Sequence, residues 1–273
     1  METLKLGFSS CPNDTFMFAA LVNGLIECPF SFELTIADVE ELNGLVREGK
    51  LDISKVSCYL LSYVAKEYCF LSVGAALGRG CGPLLVTRPE LSLNDLHSAR
   101  IAAPGRYTTA YALLRLYAPE IKEEQVIFCL FDQIMPKVQK KEVDFGLIIH
   151  EGRFVYPQYG LKVVCDLGEW WKKKTGLPIP LGGIVAKREL PEETISLFTQ
   201  CLKKSILFAY EHPEEVMPFV RKHACYLEEE VIKKHIALYV NDFSLELGRE
   251  GIKAIEKLVN SHLFYYFPHL SRR

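Results

Sequence analysis

Residues 137–150 read KVQKKEVDFGLIIH, and residues 45–58 read LVREGKLDISKVSC. Each stretch opens on the charged end of a helix, passes an apolar residue and an aspartate (Asp144 or Asp52), and runs on as an apolar strand. The run GLII (146–149) reads as a buried strand, of the kind α/β folds cover on both faces. Aligned in this way, Cys58 and His150 hold the same place, with Ser57 one residue earlier. The match is short and the pattern is common to βα units, so it serves to organise the reading.

Working outward, strand-like and helix-like segments alternate along most of the chain, which predicts an α/β class. LKLGFS (4–9) reads as a strand, and PNDTFMFAALVNGL as a helix with Asp14 in its first turn, where a carboxylate complements the helix dipole. FSFELTIAD is a second strand, VEELNGLVREGK an amphipathic helix and LDISKVS a third strand. After the helix YLLSYVAKEY, the stretch CFLSVGAALGRGCGPLLVTRPE reads as two strands joined by a glycine-rich loop. From residue 100 the pattern restarts with RIAAPG, YTTAYALLRLYA, QVIFCLF, DQIMPKVQKKE and VDFGLIIHE. LGGIVAKREL is a further strand, and the remainder is helical, from PEETISLFTQCLKKSILFAYEH to ELGREGIKAIEKLVNSHLF. This predicts a discontinuous larger domain, 1–88 plus 183–273, around an inserted domain, 89–182. A cleft between two such lobes is a natural ligand site. No low-complexity linker marks the crossings, so one continuous domain stays open as the alternative.

Composition narrows the partners. The 273 residues are 49% hydrophobic and 24% charged, and 32 basic against 34 acidic side chains leave a formal charge of −2. Such a chain lacks the basic field that nucleic acid or an anionic membrane surface requires. The start METLKLGFSSCPNDTF carries no basic region ahead of an apolar one, and no apolar run reaches the roughly 18 residues of a membrane span, so a cytoplasmic protein is expected. Nine scattered cysteines in apolar settings such as VIFCLF suit buried thiols in a reducing compartment better than a disulfide framework. A homodimer is compatible with the sequence, although no feature of it points to one.

In open α/β sheets ligands sit at strand carboxyl ends, where helix N-termini offer unpaired backbone N–H groups. Three such ends here carry polar residues: SSCPNDT offers Ser9, Ser10, Asn13, Asp14 and Thr15; GRYTTA offers Arg106, Thr108 and Thr109; and the opening stretch offers His150. Ordinary N-capping by Ser10, Asn13 or Thr108 is the competing reading. His150 admits a structural role too, yet an imidazole titrating at about 6.5 can take and return a proton at neutral pH without a metal. Neither CxxC nor HExxH occurs, so no metal is expected. GAALGRGCGP (74–83) fits neither a dinucleotide fingerprint nor a phosphate loop; it reads as a mobile or tightly approached loop with Arg79 available to an anion. Trp170 and Trp171 could stack on a flat ring or cover the core, Lys172–Lys174 read as a solvated face, and Cys11, at a helix start, is a weak candidate nucleophile without an identifiable base.

Several ordered blocks add a resemblance. GFSSCPNDTFMFAAL, DVEELNGL, ALGRGCGPLLV, GRYTTAYALL, GLIIHEGRFVYPQYGL and DLGEWWKKKTGLPIPLGGIVAKREL, spanning about residues 4–190, resemble the MqnD branch, the 1,4-dihydroxy-6-naphthoate synthases, of the MqnA/MqnD family of menaquinone biosynthesis by the futalosine pathway. The resemblance implies a two-lobed fold like the type II periplasmic binding proteins. It also implies a lyase that cleaves cyclic dehypoxanthine futalosine to 1,4-dihydroxy-6-naphthoate and dihydroxyacetone without a cofactor. The family's proposed base falls on His150, and its substrate-contacting hydroxyls fall on Ser57, Thr108 and Thr109. The family often has Pro where this chain has Ser10, which leaves Asn13 and Asp14 in place and puts a role for Ser10 in doubt. The sister chorismate dehydratases and non-catalytic solute-binding proteins share the architecture and stand as alternatives.

Overall fold

The computed structural model describes residues 2–225 and 228–260. Along the chain it places β1 Glu2–Ser9, α1 Pro12–Val22, β2 Phe30–Ala37, α2 Val39–Arg47, β3 Ile53–Ser57, α3 Leu61–Val64, β4 Tyr68–Phe70 and β5 Ala76–Gly78. There follow β6 Leu84–Thr87, β7 Ile101–Ala103, α4 Thr109–Tyr117, β8 Val126–Phe128, α5 Phe131–Gln139, β9 Phe145–Ile148, α6 Gly152–Val155, β10 Lys162–Asp166 and α7 Leu167–Thr175. The strand β11 Ile179–Lys187 leads into α8 Glu192–Glu211, α9 Pro213–His223, α10 Glu229–Tyr239, α11 Asp242–Leu245 and α12 Gly248–Val259. The end of the helix read in ELGREGIKAIEKLVNSHLF, from residue 261 on, lies outside the described residues.

Two compact units result, one formed by residues up to Leu77 together with those from Pro180, the other by Gly78–Ile179. The first holds a sheet in the order β2-β1-β3-β11-β4, with β5 also paired to β11. β1 runs parallel to β2 and β3, and β11 runs antiparallel to β3. The second holds the order β10-β6-β9-β7-β8, with β7 parallel to β8 and β9, and β6 antiparallel to β9. Each unit is thus a βαβαβ run whose third strand is flanked by one antiparallel strand.

The short sequence match has a structural basis. α2 and α5 are nine residues each, and residues 48–52 and 140–144 join them to β3 and β9. In both units the aspartate closing the connection accepts the neighbouring strand's backbone N–H. Lys5 N donates to Asp52 Oδ2 at 2.9 Å, and Arg100 N donates to Asp144 Oδ2 at 2.9 Å. A cation from the antiparallel side completes each station: Lys187 at 3.0 Å from Asp52, and Arg88 at 3.5 Å from Asp144.

In the first unit α1 is buried from Pro12 through Leu21, so both its apolar side chains and its polar first turn lie out of water. A helix apolar all round belongs inside a core. Phe18 stacks on Phe8 of β1 at 4.6 Å, and α8 covers α1 with Ile195, Phe198, Leu202, Ile206 and Ala209 at helical spacing. In the second unit Ile134 and Val138 of α5 pack against β9 so closely that a Cβ on Gly146 would fall 2.7 Å and 2.9 Å from them, which is why the strand carries glycine there. No helix among the described residues is long and apolar enough to cross a membrane. Cys11, Cys58, Cys69, Cys81 and Cys201 are buried thiols, and burial pushes Cys81 up to about 12.

Candidate active site

The polar first turn of α1 is organised by Asp14, 2% exposed. Its Oδ2 accepts from Ser9 Oγ at 2.6 Å and Ser9 N at 3.3 Å, and its Oδ1 accepts from Asn13 Nδ2 at 2.7 Å. Lys55 of β3, 4% exposed, brings its ammonium to 2.6 Å from Oδ1. All four lone-pair directions of the carboxylate are occupied by protein, so Asp14 and Asn13 tie the helix start to β1 and β3. Ser10 does not cap this helix; Cys11 is the N-cap residue, without a side-chain cap bond.

Ser57 closes β3. Asn43 of α2, fully buried, accepts from Ser57 N at 3.0 Å through Oδ1 and donates from Nδ2 to Ser57 Oγ at 3.2 Å. Glu40 Oε2 accepts from the same Nδ2 at 3.0 Å. Neither Lys55 nor Asn43 is a candidate on sequence grounds. Asn43 stands inside the block DVEELNGL, and Lys55 is the charged residue of the strand ISKVS, which was the available signal.

In the second unit Thr108 is the N-cap of α4: its hydroxyl accepts from Tyr111 N at 3.2 Å and donates to Gly105 O at 2.8 Å. Thr109, 2% exposed, is the first helical residue. Arg106, by contrast, is exposed and turned to Glu123 at 2.5 Å. Arg79 is exposed and donates to Gly176 O at 3.4 Å.

β9 ends at Ile148, two residues short of His150. His150 lies in the turn that follows, half-buried, with φ at +53°, a left-handed conformation costing on the order of 1 kcal/mol for a residue with a Cβ. Its ring meets Phe131, the first residue of α5, edge to face at 5.0 Å. Gly152 N and Arg153 N donate back to Ile149 O at 3.1 Å and His150 O at 3.4 Å, so the turn passes directly into α6. Glu151, 1% exposed, has its carboxyl pushed up to about 7 by burial.

Arg153 binds three of the sequence blocks together. Its Nη1 donates to Gly82 O at 3.0 Å and its Nη2 meets Asp166 Oδ2 at 2.5 Å, while Asp166 Oδ1 caps α7 through Gly168 N at 2.9 Å and Glu169 N at 3.1 Å. The glycine-rich loop is therefore a tightly approached one. A Cβ on Gly168 would lie 1.9 Å from Cys81 O, and one on Gly82, at φ +143°, would lie 2.8 Å from Gly168 Cα. Of the two tryptophans, Trp171 is 2% exposed and donates to Pro178 O at 3.0 Å, and Trp170 stands edge-on to Tyr117 at 5.7 Å under Lys174. Both serve packing, and Lys172–Lys174 are exposed. For metals, His212, Glu214 and Glu215 bring ligand atoms within 4.8 Å at the start of α9, all of them solvent-exposed.

A family described as menaquinone biosynthesis matches residues 4–262 of the chain. A 1,4-dihydroxy-6-naphthoate synthase of Thermus thermophilus is 48% identical over 258 residues, covering 94% of this chain and 93% of the relative. A Streptomyces coelicolor protein of the same name is 41% identical over 261 residues, 94% of this chain and 92% of its own. Among solved structures, a protein from Archaeoglobus fulgidus superposes with a TM-score of 0.89 at 34% identity, covering 94% of this chain and 96% of that one. A Candida albicans protein exhibiting the generic periplasmic binding protein fold superposes at 0.69 with 14% identity, over 95% and 90% of the two chains, a likeness of fold alone. The architecture is periplasmic-binding-protein-like, as the ordered blocks led one to expect.

Proposed function

The chain belongs to the menaquinone-biosynthesis family, and from that premise we propose that it is a 1,4-dihydroxy-6-naphthoate synthase that cleaves cyclic dehypoxanthine futalosine, with His150 as the general base. The observation that carries the reading is His150 itself. It is presented just past a buried strand by a left-handed turn, on a chain 48% identical to a relative of that name.

In this mechanism the neutral imidazole removes the proton of a sugar-derived hydroxyl. A carbon–carbon bond then breaks in the retro-aldol sense, the dihydroxyacetone fragment departs, and the ring that remains becomes aromatic, which drives the step forward. The imidazolium returns its proton to the enolate of the departing fragment. General base catalysis of this kind contributes roughly a hundred- to ten-thousand-fold. Within the second unit, the α4 N-terminus with Thr109 and the capped Thr108 offers N–H and hydroxyl groups to a carboxylate or ring oxygen, and Arg79 is a further cation for the carboxylate. Within the first unit, Ser57 held by Asn43 offers a hydroxyl at the end of β3. Asn13 and Asp14 act by holding the α1 turn and Lys55 in place. The protein acts in the cytoplasm on a small molecule, and because the imidazole needs only a proton to exchange, a chelator leaves the rate unchanged.

The test is to incubate the protein with cyclic dehypoxanthine futalosine and, separately, with chorismate, and to follow products by chromatography and mass. Naphthoate from the first substrate supports the reading. A dehydrated product from chorismate would move the chain to the sister activity, and recovery of both compounds unchanged would make it a binding protein.

A further inference from the structure

Glu151 follows His150 directly, and the mechanism above leaves it idle. Two carboxyls are buried to within 2% exposure among the described residues, Asp14 and Glu151. Asp14 has the Lys55 ammonium at 2.6 Å. Glu151, in contrast, stands beside an imidazole: a carboxylate oxygen of Glu151 and a ring nitrogen of His150 lie within 4.8 Å of one another. The strained left-handed backbone at His150 is the turn that sets this geometry, since it ends β9 and starts α6 with Glu151 as the N-cap residue.

Burial, outweighing a backbone hydrogen bond that pulls the other way, brings the Glu151 carboxyl up to about 7, close to the range in which an imidazole titrates. Two such groups at this distance do not lose their protons independently, because an ionised carboxylate strengthens the imidazolium and a neutral carboxyl does not. The other ionisable groups on the elements packed about the turn within this unit are Asp132 and Lys137 of α5 and Arg153 of α6. Lys137 is paired with Glu142 at 2.9 Å and Arg153 with Asp166 at 2.5 Å. They stay constant when Glu151 alone is changed.

We propose that Glu151 is the positioning residue of His150, a buried carboxyl that orients the ring and sets its proton affinity by sharing a titration with it. The catalytic consequence rests on the reading of His150 as the base; the coupling itself does not. While the pair shares one proton the ring is a neutral base only in the molecules whose proton sits on Glu151, so the carboxyl governs the acid limb of the rate.

The experiment is a proton NMR titration of the histidine ring signals in the wild type, Glu151→Gln and Glu151→Asp, with the His150 resonance assigned by its loss in His150→Ala. The expected result is a midpoint for His150 lowered in Glu151→Gln by about half to one pH unit, a three- to tenfold loss of proton affinity. The shift should be smaller in Glu151→Asp, which keeps a carboxyl, and the acid limb of kcat/KM should move by the same amount. An unchanged His150 midpoint in folded Glu151→Gln overturns the proposal; if that variant does not fold, a midpoint in Glu151→Asp equal to the wild type's, with an unmoved acid limb, overturns it equally. Should His150→Ala keep its kcat, the base assignment fails while the NMR shift still decides the coupling.

Discussion

Asp52 and Asp144 hold equivalent stations in the two units. Each accepts a backbone N–H at 2.9 Å, from Lys5 within β1 or from Arg100 just ahead of β7, and each faces a cation from the antiparallel side. The aspartate that made the two stretches comparable as sequence is thus the residue that fixes strand register at the helix-to-strand turn. Replacing Asp144 by Ala leaves Arg100 N without that acceptor and Arg88 with Glu90, at 3.0 Å, as its remaining carboxylate. The expected loss is about 1–2 kcal/mol, since the site is partly hydrated. Asp52→Ala should behave alike, and urea unfolding of both variants checks this; a change below a few tenths in either would contradict it.

Lys55 and Asp14 form an ion pair with both members almost wholly out of water. Removing the cation alone strands a buried carboxylate, so Lys55→Met should destabilise by about 3–5 kcal/mol. The double variant Lys55→Met/Asp14→Asn removes both charges and should recover part of that loss. Chemical denaturation of the wild type, Lys55→Met, Asp14→Asn and the double variant separates the outcomes, and a double variant worse than the sum of the two singles would refute the pairing as described.

Glu151 gives stability a definite pH dependence. Its folded carboxyl titrates at about 7, above the ordinary glutamate value, so the unfolded chain releases this proton first as pH rises. The contribution is complete below the unfolded value and is lost as pH climbs through about 7. Glu151→Gln, which cannot ionise, should match the wild type near pH 5 and exceed it near pH 8 by an amount on the order of 2–3 kcal/mol. Thermal melts across that range measure it; parallel curves for the two proteins would exclude a raised carboxyl.

The class and the alternation of elements were legible because apolar strands and amphipathic helices carry their own periodicity, and LDISKVS and VDFGLIIH announced β3 and β9 directly. The CFLSVGAALGRGCGPLLVTRPE stretch was less so: it reads as two strands and folds as three, because β4 and β5 are only three residues each. His150 was visible as an imidazole at a strand end, but the left-handed turn that presents it depends on Glu151 starting α6, which no local pattern encodes. Lys55 escaped because its partner Asp14 comes from an element distant in sequence, and Asn43 because its bonds to Ser57 depend on how α2 packs beside the end of β3. Arg153 likewise joins Gly82 and Asp166 across the unit, a convergence that becomes readable only once the sheet order is known.

The central claim is that His150 is the base that starts carbon–carbon cleavage. The most direct measurement is kcat on cyclic dehypoxanthine futalosine for the wild type beside His150→Ala and His150→Gln, each shown to be folded by circular dichroism. The account predicts a fall in kcat of roughly a hundred- to ten-thousand-fold in both variants with little change in substrate affinity. A folded His150→Ala that turns over at the wild-type rate would contradict it and return His150 to a structural role at the end of β9.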